Sequence, residues 1–368
     1  MQATIGPEAV DVAVRRDDWR QCRITPAPPL DALRPGQVLF RIDRFALTAN
    51  NISYALTGDL LGYWTFFPAE APWGRIPVMG YADVVASSQD GIAVGERVFG
   101  FFPMSTHLVV DADAVHDGSF VDAAPHRRDT ALAYRQYTRA AGDPLYAAAR
   151  EDALMLLRGL FITSFLVDDF LADNDGFGAR TVVVSSASSK TAIALAFLLR
   201  RRGQARVVGL TSARHRGFVE RIGCCDEVRT YDEIALLAAD APTAFVDHSG
   251  DAAVVRAVHE RFGERLVYSG IVGATHWDRG GRTRGLPGAA PAFFFAPAQL
   301  EKRQTEWGPA GFQERLGDAW RAFLTFSDGW LEIVRGAGPA EVERVYRDVL
   351  EGRALPHQGH VLSLWPAT

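Results

Sequence analysis

The chain has 368 residues, enough for two ordinary domains, each with its own core. Hydrophobic residues make up 48% and charged residues 23%, the usual mix of a soluble globular protein, which excludes a disordered or fibrous chain. Lys+Arg total 39 against 44 Asp+Glu, so the net charge of −5 makes a poor generic binder of nucleic acid or anionic membrane.

Along the chain, the first third reads as β. Residues 36–47 alternate apolar and polar side chains in their first half, as a half-buried strand does. Further strands are expected at 78–85, 97–102 and 106–110, separated by Gly, Pro, Asp and Ser clusters that mark turns. Short strands at such spacing suggest a small barrel or sandwich. An aromatic-rich segment, 58–74, interrupts them. A polar stretch, 111–129, follows, and 143–170 has helical spacing with a dense apolar run at its end.

From residue 181 the pattern alternates strand and helix. Strands are expected at 181–184, 205–210, 227–230, 243–247 and 265–272. Helices are expected at 191–201, at 214–222 with Gly223 as C-cap, weakly at 234–239, and at 252–262. This alternation means βαβ units and a parallel sheet. The tail, 320–365, holds two helical stretches and a last strand near 360–364.

In a doubly wound sheet the loop after the first strand cradles phosphate. Here it is Ser185-Ser-Ala-Ser-Ser-Lys-Thr-Ala192, with no glycine. Ser186, Ala187, Ser188, Ser189 and Thr191 are small enough for a pyrophosphate to approach the backbone, and the helix start offers free N–H groups. Lys190 is one of only two lysines, the other being Lys302. An ammonium at a helix start opposes the helix dipole unless an anion is bound there. The alternative is a serine-capped helix without a ligand. At the end of the second strand an NAD site carries an acid. Here Thr211 and Ser212 stand in its place, with Arg214 and Arg216 close behind. Hydroxyls and guanidinium suit a 2′-phosphate, favouring NADPH over NADH; a solvated helix start is the alternative.

At these residues the chain resembles the medium-chain dehydrogenase/reductase superfamily. Gly36-Gln-Val-Leu-Phe40, Gly80-Tyr-Ala-Asp-Val-Val85 and Gly95-Glu-Arg-Val-Phe-Gly100 look like its GroES-like catalytic domain. Phe161-Ile-Thr-Ser-Phe165 is similar to the element preceding its Rossmann domain. Residues 182–192 occupy the place of its glycine-rich turn. Ile222-Gly-Cys-Cys-Asp-Glu-Val-Arg-Thr-Tyr231 looks like the segment whose tyrosine approaches the adenosine phosphate, which carries over to Tyr231. Residues 247–250, with Ser249, and 270–273 resemble the segments lining the nicotinamide. Residues 48–54, 185–191 and 294–303 resemble a branch labelled only as a domain of unknown function.

The resemblance implies an α/β fold: a GroES-like β-rich domain over 1–150 with a helical insertion near 131–154, a Rossmann-type doubly wound parallel sheet over 151–310, and a segment, 311–368, returning to the first domain. Tyr134, Tyr137 and Tyr146 in the insertion either cover the cleft or pack. Zinc-dependent members need a Cys/His/Glu set and often a four-cysteine lobe, which Cys22, Cys224 and Cys225 cannot supply. The expected enzyme is a zinc-free, NADPH-dependent reductase of an activated alkene, quinone or related carbonyl. A carbonyl reductase and a non-catalytic scaffold that has lost its cofactor are the alternatives. Asn50, Asn51 and Tyr54 are candidates to stabilise the oxygen where charge develops, although Asn-Asn also serves turns. Tyr63 and Trp64 either wall a flat substrate or pack. Lys302, beyond the fifth parallel strand, is placed near the cofactor. The expected partners are a small-molecule substrate and, left open, a second copy in a homodimer, with no nucleic acid or membrane. Three cysteines make no disulfide framework, residues 1–6 lack the pattern of a signal peptide, and no apolar run spans a bilayer; a cytoplasmic location follows as an expectation.

Overall fold

The alternating run after Gly36 becomes an 11-residue strand of a closed barrel in the computed structural model, which describes residues 9–29, 32–272 and 285–367. The chain divides into two units, Met1–Leu156 with Glu332–Thr368, and Leu157–Leu331. The first unit begins with β1 (Val10–Arg15), β2 (Cys22–Pro26), β3 (Gln37–Leu47), α1 (Ala49–Leu56), β4 (Trp73–Gly74) and β5 (Pro77–Ser87). It continues with β6 (Arg97–Pro103), β7 (His107–Asp113), β8 (Ser119–Asp122), α2 (Leu132–Arg135) and β9 (Gln136–Arg139). The order β3-β5-β6-β9-β8-β7 closes because β7 pairs back onto β3, Val38 lying opposite Val110. Inward residues of these strands interdigitate: Phe40 lies 5.0 Å from Tyr137 and 5.8 Å from Phe102, centroid to centroid. Burying such a ring fully contributes about 1.5–3 kcal/mol. β1 pairs with β2 and β4 in a separate antiparallel sheet.

Within the segment 131–154, expected as a helical insertion, α2 is a single turn and Gln136–Arg139 form a strand of the barrel. β9 pairs with both β6 and β8. Gly100 of β6 makes room for it, since a Cβ there would lie 2.6 Å from the Tyr137 ring. The helix expected from residue 143 starts at Glu151, after irregular turns.

The second unit takes most of α3 (Glu151–Asp173), within which the boundary falls, and then β10 (Thr181–Val184), α4 (Lys190–Arg202), β11 (Arg206–Thr211), α5 (Arg216–Ile222) and β12 (Glu227–Thr230). β13 (Thr243–Asp247), α6 (Ala252–Phe262), β14 (Leu266–Ile271), β15 (Ala292–Phe293) and α7 (Ala296–Ser327) complete it. The six strands are parallel in the order β12-β11-β10-β13-β14-β15. That is the doubly wound Rossmann order, with its switch point between β10 and β13. Val182, Val183 and Val184 of β10 are buried without alternation, as a strand covered on both faces requires. Ser189 caps α4 and Asp251 caps α6, while Gly203 and Gly223 end α4 and α5 in the left-handed conformation. The weak helix expected at 234–239 is a tighter 3₁₀ turn over Tyr231–Leu236, opened by a Thr230/Glu233 capping box. Gly308 and Pro309 kink α7.

The chain returns to the first unit at Glu332, later than residue 311, because α7 stays with the second unit. β16 (Glu332–Ala337), α8 (Pro339–Leu350) and β17 (Gln358–Ser363) follow. β17 extends the barrel sheet by pairing with Phe45–Leu47 of β3. α8 buries Val342, Val345, Tyr346 and Val349 on one stripe. Among the described residues no helix is long and apolar enough to cross a membrane.

Candidate functional site

In the second unit, chemistry-bearing side chains gather at the carboxyl ends of β10 and β13. Ser185 follows β10 and donates its hydroxyl hydrogen to Asp247 Oδ1 over 2.5 Å. The same hydroxyl oxygen accepts the His248 and Ser249 amides at 2.8 and 3.1 Å. Asp247 also accepts the Ser249 amide and hydroxyl at 3.0 and 2.6 Å and the Gly250 amide at 3.1 Å. Burial pushes the Asp247 carboxyl above its usual range, against the pull of these donors. Burial also lowers the His248 imidazole to about 4, so it is neutral at pH 7. Ser249 therefore spends its hydroxyl on the scaffold of this crossing.

The glycine-free loop still adopts a glycine-like course. Ser186 has φ 49°, in the left-handed region, and its amide donates to the Tyr231 hydroxyl over 3.2 Å. That hydrogen bond helps hold a conformation that costs a non-glycine residue about 1 kcal/mol or more. Glycine is needed instead on the neighbouring strand: a Cβ on Gly209 of β11 would lie 3.0 Å from the Ala187 side chain. Ala187 donates its amide to Leu210. The Ser189 hydroxyl accepts the Ala192 amide at 3.3 Å, and Lys190 and Thr191 form the first turn of α4. Burial brings the Lys190 ammonium down to about 8. The Ser188 hydroxyl meets His215 Nδ1 at 3.2 Å and the Thr211 hydroxyl at 3.4 Å. Ser212 carries no side-chain cap; its carbonyl accepts the His215 and Arg216 amides.

Two expected cofactor contacts are otherwise engaged. Arg216 donates to Glu220 at 2.8 Å and to Glu233 at 3.1 Å. The Lys302 ammonium, expected near the cofactor, is paired with Asp173 on α3 and lies 3.8 Å from Glu306. Beside it Arg303 bonds Asp169 at 2.6 Å, which pins α7 to α3.

In the first unit, α1 starts at Thr48 with a capping box. The Asn51 side-chain oxygen accepts the Thr48 amide at 2.7 Å, and its nitrogen donates to the Pro77 carbonyl at 2.9 Å. Asn51 thus fixes the helix start. Asn50 is different: it lies one turn before Tyr54 and pulls the Tyr54 phenol down against the larger lift of burial. Tyr54 packs on Tyr63 with ring centroids 4.7 Å apart, and the Tyr63 hydroxyl meets that of Tyr134 at 3.1 Å. Burial raises all three phenols, so each keeps its proton at neutral pH. Trp64 is corrected from a substrate wall to core: it is 3% exposed, and Cβ atoms on Gly58 and Gly74 would strike its ring. Tyr137 bonds the Phe101 carbonyl inside the barrel, and Tyr146 donates to Glu151.

Ser185, Asp247, His215, Glu233 and Tyr134 were not singled out in the sequence for these contacts. The strand ends mark the first two, since both follow predicted parallel strands. No pattern points to His215 and Glu233, whose roles come from turns folding back. Among the described residues no group of three or more His, Cys, Asp or Glu is placed to hold a metal ion. Gly273 and residues 1–6 lie outside the described residues.

Residues 45–355 match the family described as "Protein of unknown function (DUF2855)". Comparison with curated proteins gives no match. Among solved structures, CurA from Vibrio vulnificus aligns over 98% of this chain and 99% of its own, with a TM-score of 0.60 at 12% identity. Mycobacterial Rv1454c complexed with NADPH aligns over 96% of this chain and 99% of its own, with a TM-score of 0.57 at 14% identity. A putative NADPH:quinone reductase from Mesorhizobium loti aligns over 98% and 99%, with a TM-score of 0.58 at 14% identity. At such identities the likeness establishes the fold, a GroES-like barrel joined to a Rossmann sheet. The chain belongs to the DUF2855 family and has the fold of the medium-chain dehydrogenase/reductases.

Proposed function

We propose that the protein is a zinc-free, NADPH-dependent reductase of an activated alkene, quinone or related carbonyl. The observation that carries this reading is the loop 185–191: a left-handed Ser186, a bare Gly209 beneath Ala187, and a serine-capped α4 start, all at the β10/β13 switch point. This cradle fits a dinucleotide pyrophosphate. The Ser189 cap and Lys190 stand at the N-terminal end of α4, where an anion is favoured. Ser188, Thr211 and His215 offer polar groups beside the second strand, and no acid replaces Thr211 at its end. CurA and Rv1454c have each been crystallised with NADPH, which supports the same cofactor here. The zinc-free part rests on the supply of three cysteines, two of them adjacent, against the larger ligand sets of zinc-dependent relatives.

NADPH supplies a hydride when bound. What this chain adds is a hydrogen-bond donor for the oxygen that becomes negative. Tyr54 fits that part. Burial keeps the phenol protonated, so its O–H can donate to a substrate oxygen. Tyr63 and Tyr134 back the Tyr54 ring with a protonated, hydrogen-bonded pair. The test is NADPH oxidation across enones, quinones and aldehydes. Turnover with at least one class is expected, falling about 10²–10³-fold in kcat in Tyr54→Phe with KM little changed. Absence of turnover with all of them would overturn the assignment. One observation favours a non-catalytic binding protein instead: the Ser186 amide and the Arg216 guanidinium already have partners within the chain.

A further inference from the structure

Residues 200–206, Arg-Arg-Arg-Gly-Gln-Ala-Arg, place four arginines within seven positions of a chain whose net charge is −5. They cover the carboxyl end of α4, its left-handed Gly203 stop and the first residue of β11. Arg201 and Arg202 turn away, to the Asp318 carbonyl and the Asp168 carboxylate. Arg200 and Arg206 instead line a cavity of about 580 Å³, together with Arg180, Gln204 and Asp226. The cavity lies at the amino ends of β10 and β11, so the length of the strands separates it from loop 185–191 at the carboxyl end of β10.

The backbone around the cavity is fixed. Arg206 donates its amide to the Arg180 carbonyl at 2.9 Å, and Asp226 donates its amide to the Val207 carbonyl at 2.8 Å. The Asp226 carboxylate accepts the Val207 amide at 2.8 Å in return. Two of the guanidiniums are held in place and still keep donors in reserve. Arg200 spends Nη1 on the Gly223 and Cys225 carbonyls, each at 3.2 Å, and the same nitrogen lies 3.6 Å from Asp226. Arg206 gives Nη2 to Glu227 at 2.7 Å, a carboxylate it shares with Arg229. Arg180 forms no ion pair with any described residue.

Three guanidiniums against the one carboxylate of Asp226 leave the lining with two positive charges. The carboxyl end of α4 adds only about half a negative charge, which does not cancel them. A guanidinium presents a planar fork of N–H donors that matches phosphate oxygens two at a time. The volume is that of a small-molecule site, well beyond a single ion.

We propose that this basin is a second anion site, which binds a polyphosphate chain, free or carried on a nucleotide, among Arg180, Arg200 and Arg206. Arg180 supplies the uncommitted fork. Arg200 and Arg206 offer the donors that their protein partners leave over, and Gln204 adds a side-chain amide. No residue of loop 185–191 takes part, so the site stands independently of the cofactor assignment.

The experiment titrates the full-length protein by calorimetry with inorganic triphosphate and, separately, with adenosine triphosphate. Saturable binding is expected, weakening as salt rises. Arg180→Gln should weaken it about tenfold or more. Arg180→Lys should restore part of the loss, because an ammonium keeps the charge without the fork. The Arg180 side chain is exposed, so the Tm of both variants should hold. Lys190→Met, at the other end of the sheet, should leave triphosphate binding unchanged. Tighter binding of adenosine triphosphate than of the inorganic chain assigns a nucleotide as the occupant, and equal binding assigns the phosphate chain alone; either result supports the site. Absence of any heat with millimolar triphosphate would overturn the proposal. So would unchanged affinity in Arg180→Gln, or a loss confined to Lys190→Met, which would place the anion at loop 185–191. A protein that holds triphosphate through Arg180 yet binds no NADPH keeps this site and loses the cofactor assignment.

Discussion

Ser185 and Asp247 join the ends of β10 and β13 through a hydroxyl-to-carboxylate hydrogen bond of 2.5 Å. The link lies where the doubly wound sheet reverses direction, the point from which such sheets bind their ligands. An acceptor-only carboxylate suits its four surrounding donors; a carboxamide would turn an NH₂ towards at least one of them. Asp247→Asn should therefore lower stability by about 3 kcal/mol, the order of a buried hydrogen bond to a charged group. Ser185→Ala, which strands two backbone amides, should cost about 2 kcal/mol. Denaturant unfolding of both variants and the double variant checks this: the double loss should fall short of the sum, because the two residues share one network. Additive losses would show that they act separately.

Arg216 was expected to meet a 2′-phosphate, but two carboxylates hold it. A phosphate there competes with Glu233, which also caps the Thr230 turn. Glu233→Gln should keep the cap while removing the competing charge. NADPH should then bind several-fold tighter and NADH should change little, as isothermal titration of both cofactors would show. Arg216→Ala should weaken NADPH by less than a freely presented guanidinium would. Equal changes for NADPH and NADH in these variants would place the phosphate elsewhere.

Lys190 gives the cofactor site a pH signature. Its ammonium falls from an ordinary value of 10.5 to about 8 because burial disfavours the charge. In the empty protein it is mostly charged below pH 8 and neutral above. A bound pyrophosphate favours the charged form and raises the value again. NADPH affinity should hold steady below about pH 8 and weaken by up to about tenfold per pH unit above it, until the bound-state value is reached. Stability of the empty protein runs the other way. The unfolded chain keeps its proton longer, so this residue's contribution is restored as pH rises from about 8 to 10.5. Lys190→Met should flatten the affinity profile and raise the Tm of the empty protein at pH 7. An unchanged affinity profile would mean that the lysine does not face the anion.

Much of the architecture was legible because its signals are local. The Val182–Val184 run, the Gly223 stop and the strand-helix alternation give the order of the second unit. Alternation after Gly36 gives β3. β9 has no signal in the sequence because four residues, Gln136–Arg139, carry no period of their own and become a strand only between β6 and β8. The loop 185–191 was legible from its position, not its composition: serine occupies a left-handed site because Tyr231, 45 residues on, holds the amide. The side-chain partners were least legible. Nothing in the sequence says that Glu233 reaches Arg216, that Asp173 reaches Lys302, or that glycines at 58 and 74 exist to seat Trp64. These are contacts between segments that meet only after the backbone is folded.

Binding of NADPH at loop 185–191 is open to direct titration. NADPH added to the pure protein, with tryptophan excitation, should quench the protein emission and produce sensitised nicotinamide emission that saturates. NADH should require a concentration at least several-fold higher, and Ser189→Ala with Lys190→Met should shift the NADPH curve to weaker binding. A protein that shows no energy transfer and no heat of binding with millimolar NADPH would contradict the account and leave a folded Rossmann unit without its cofactor.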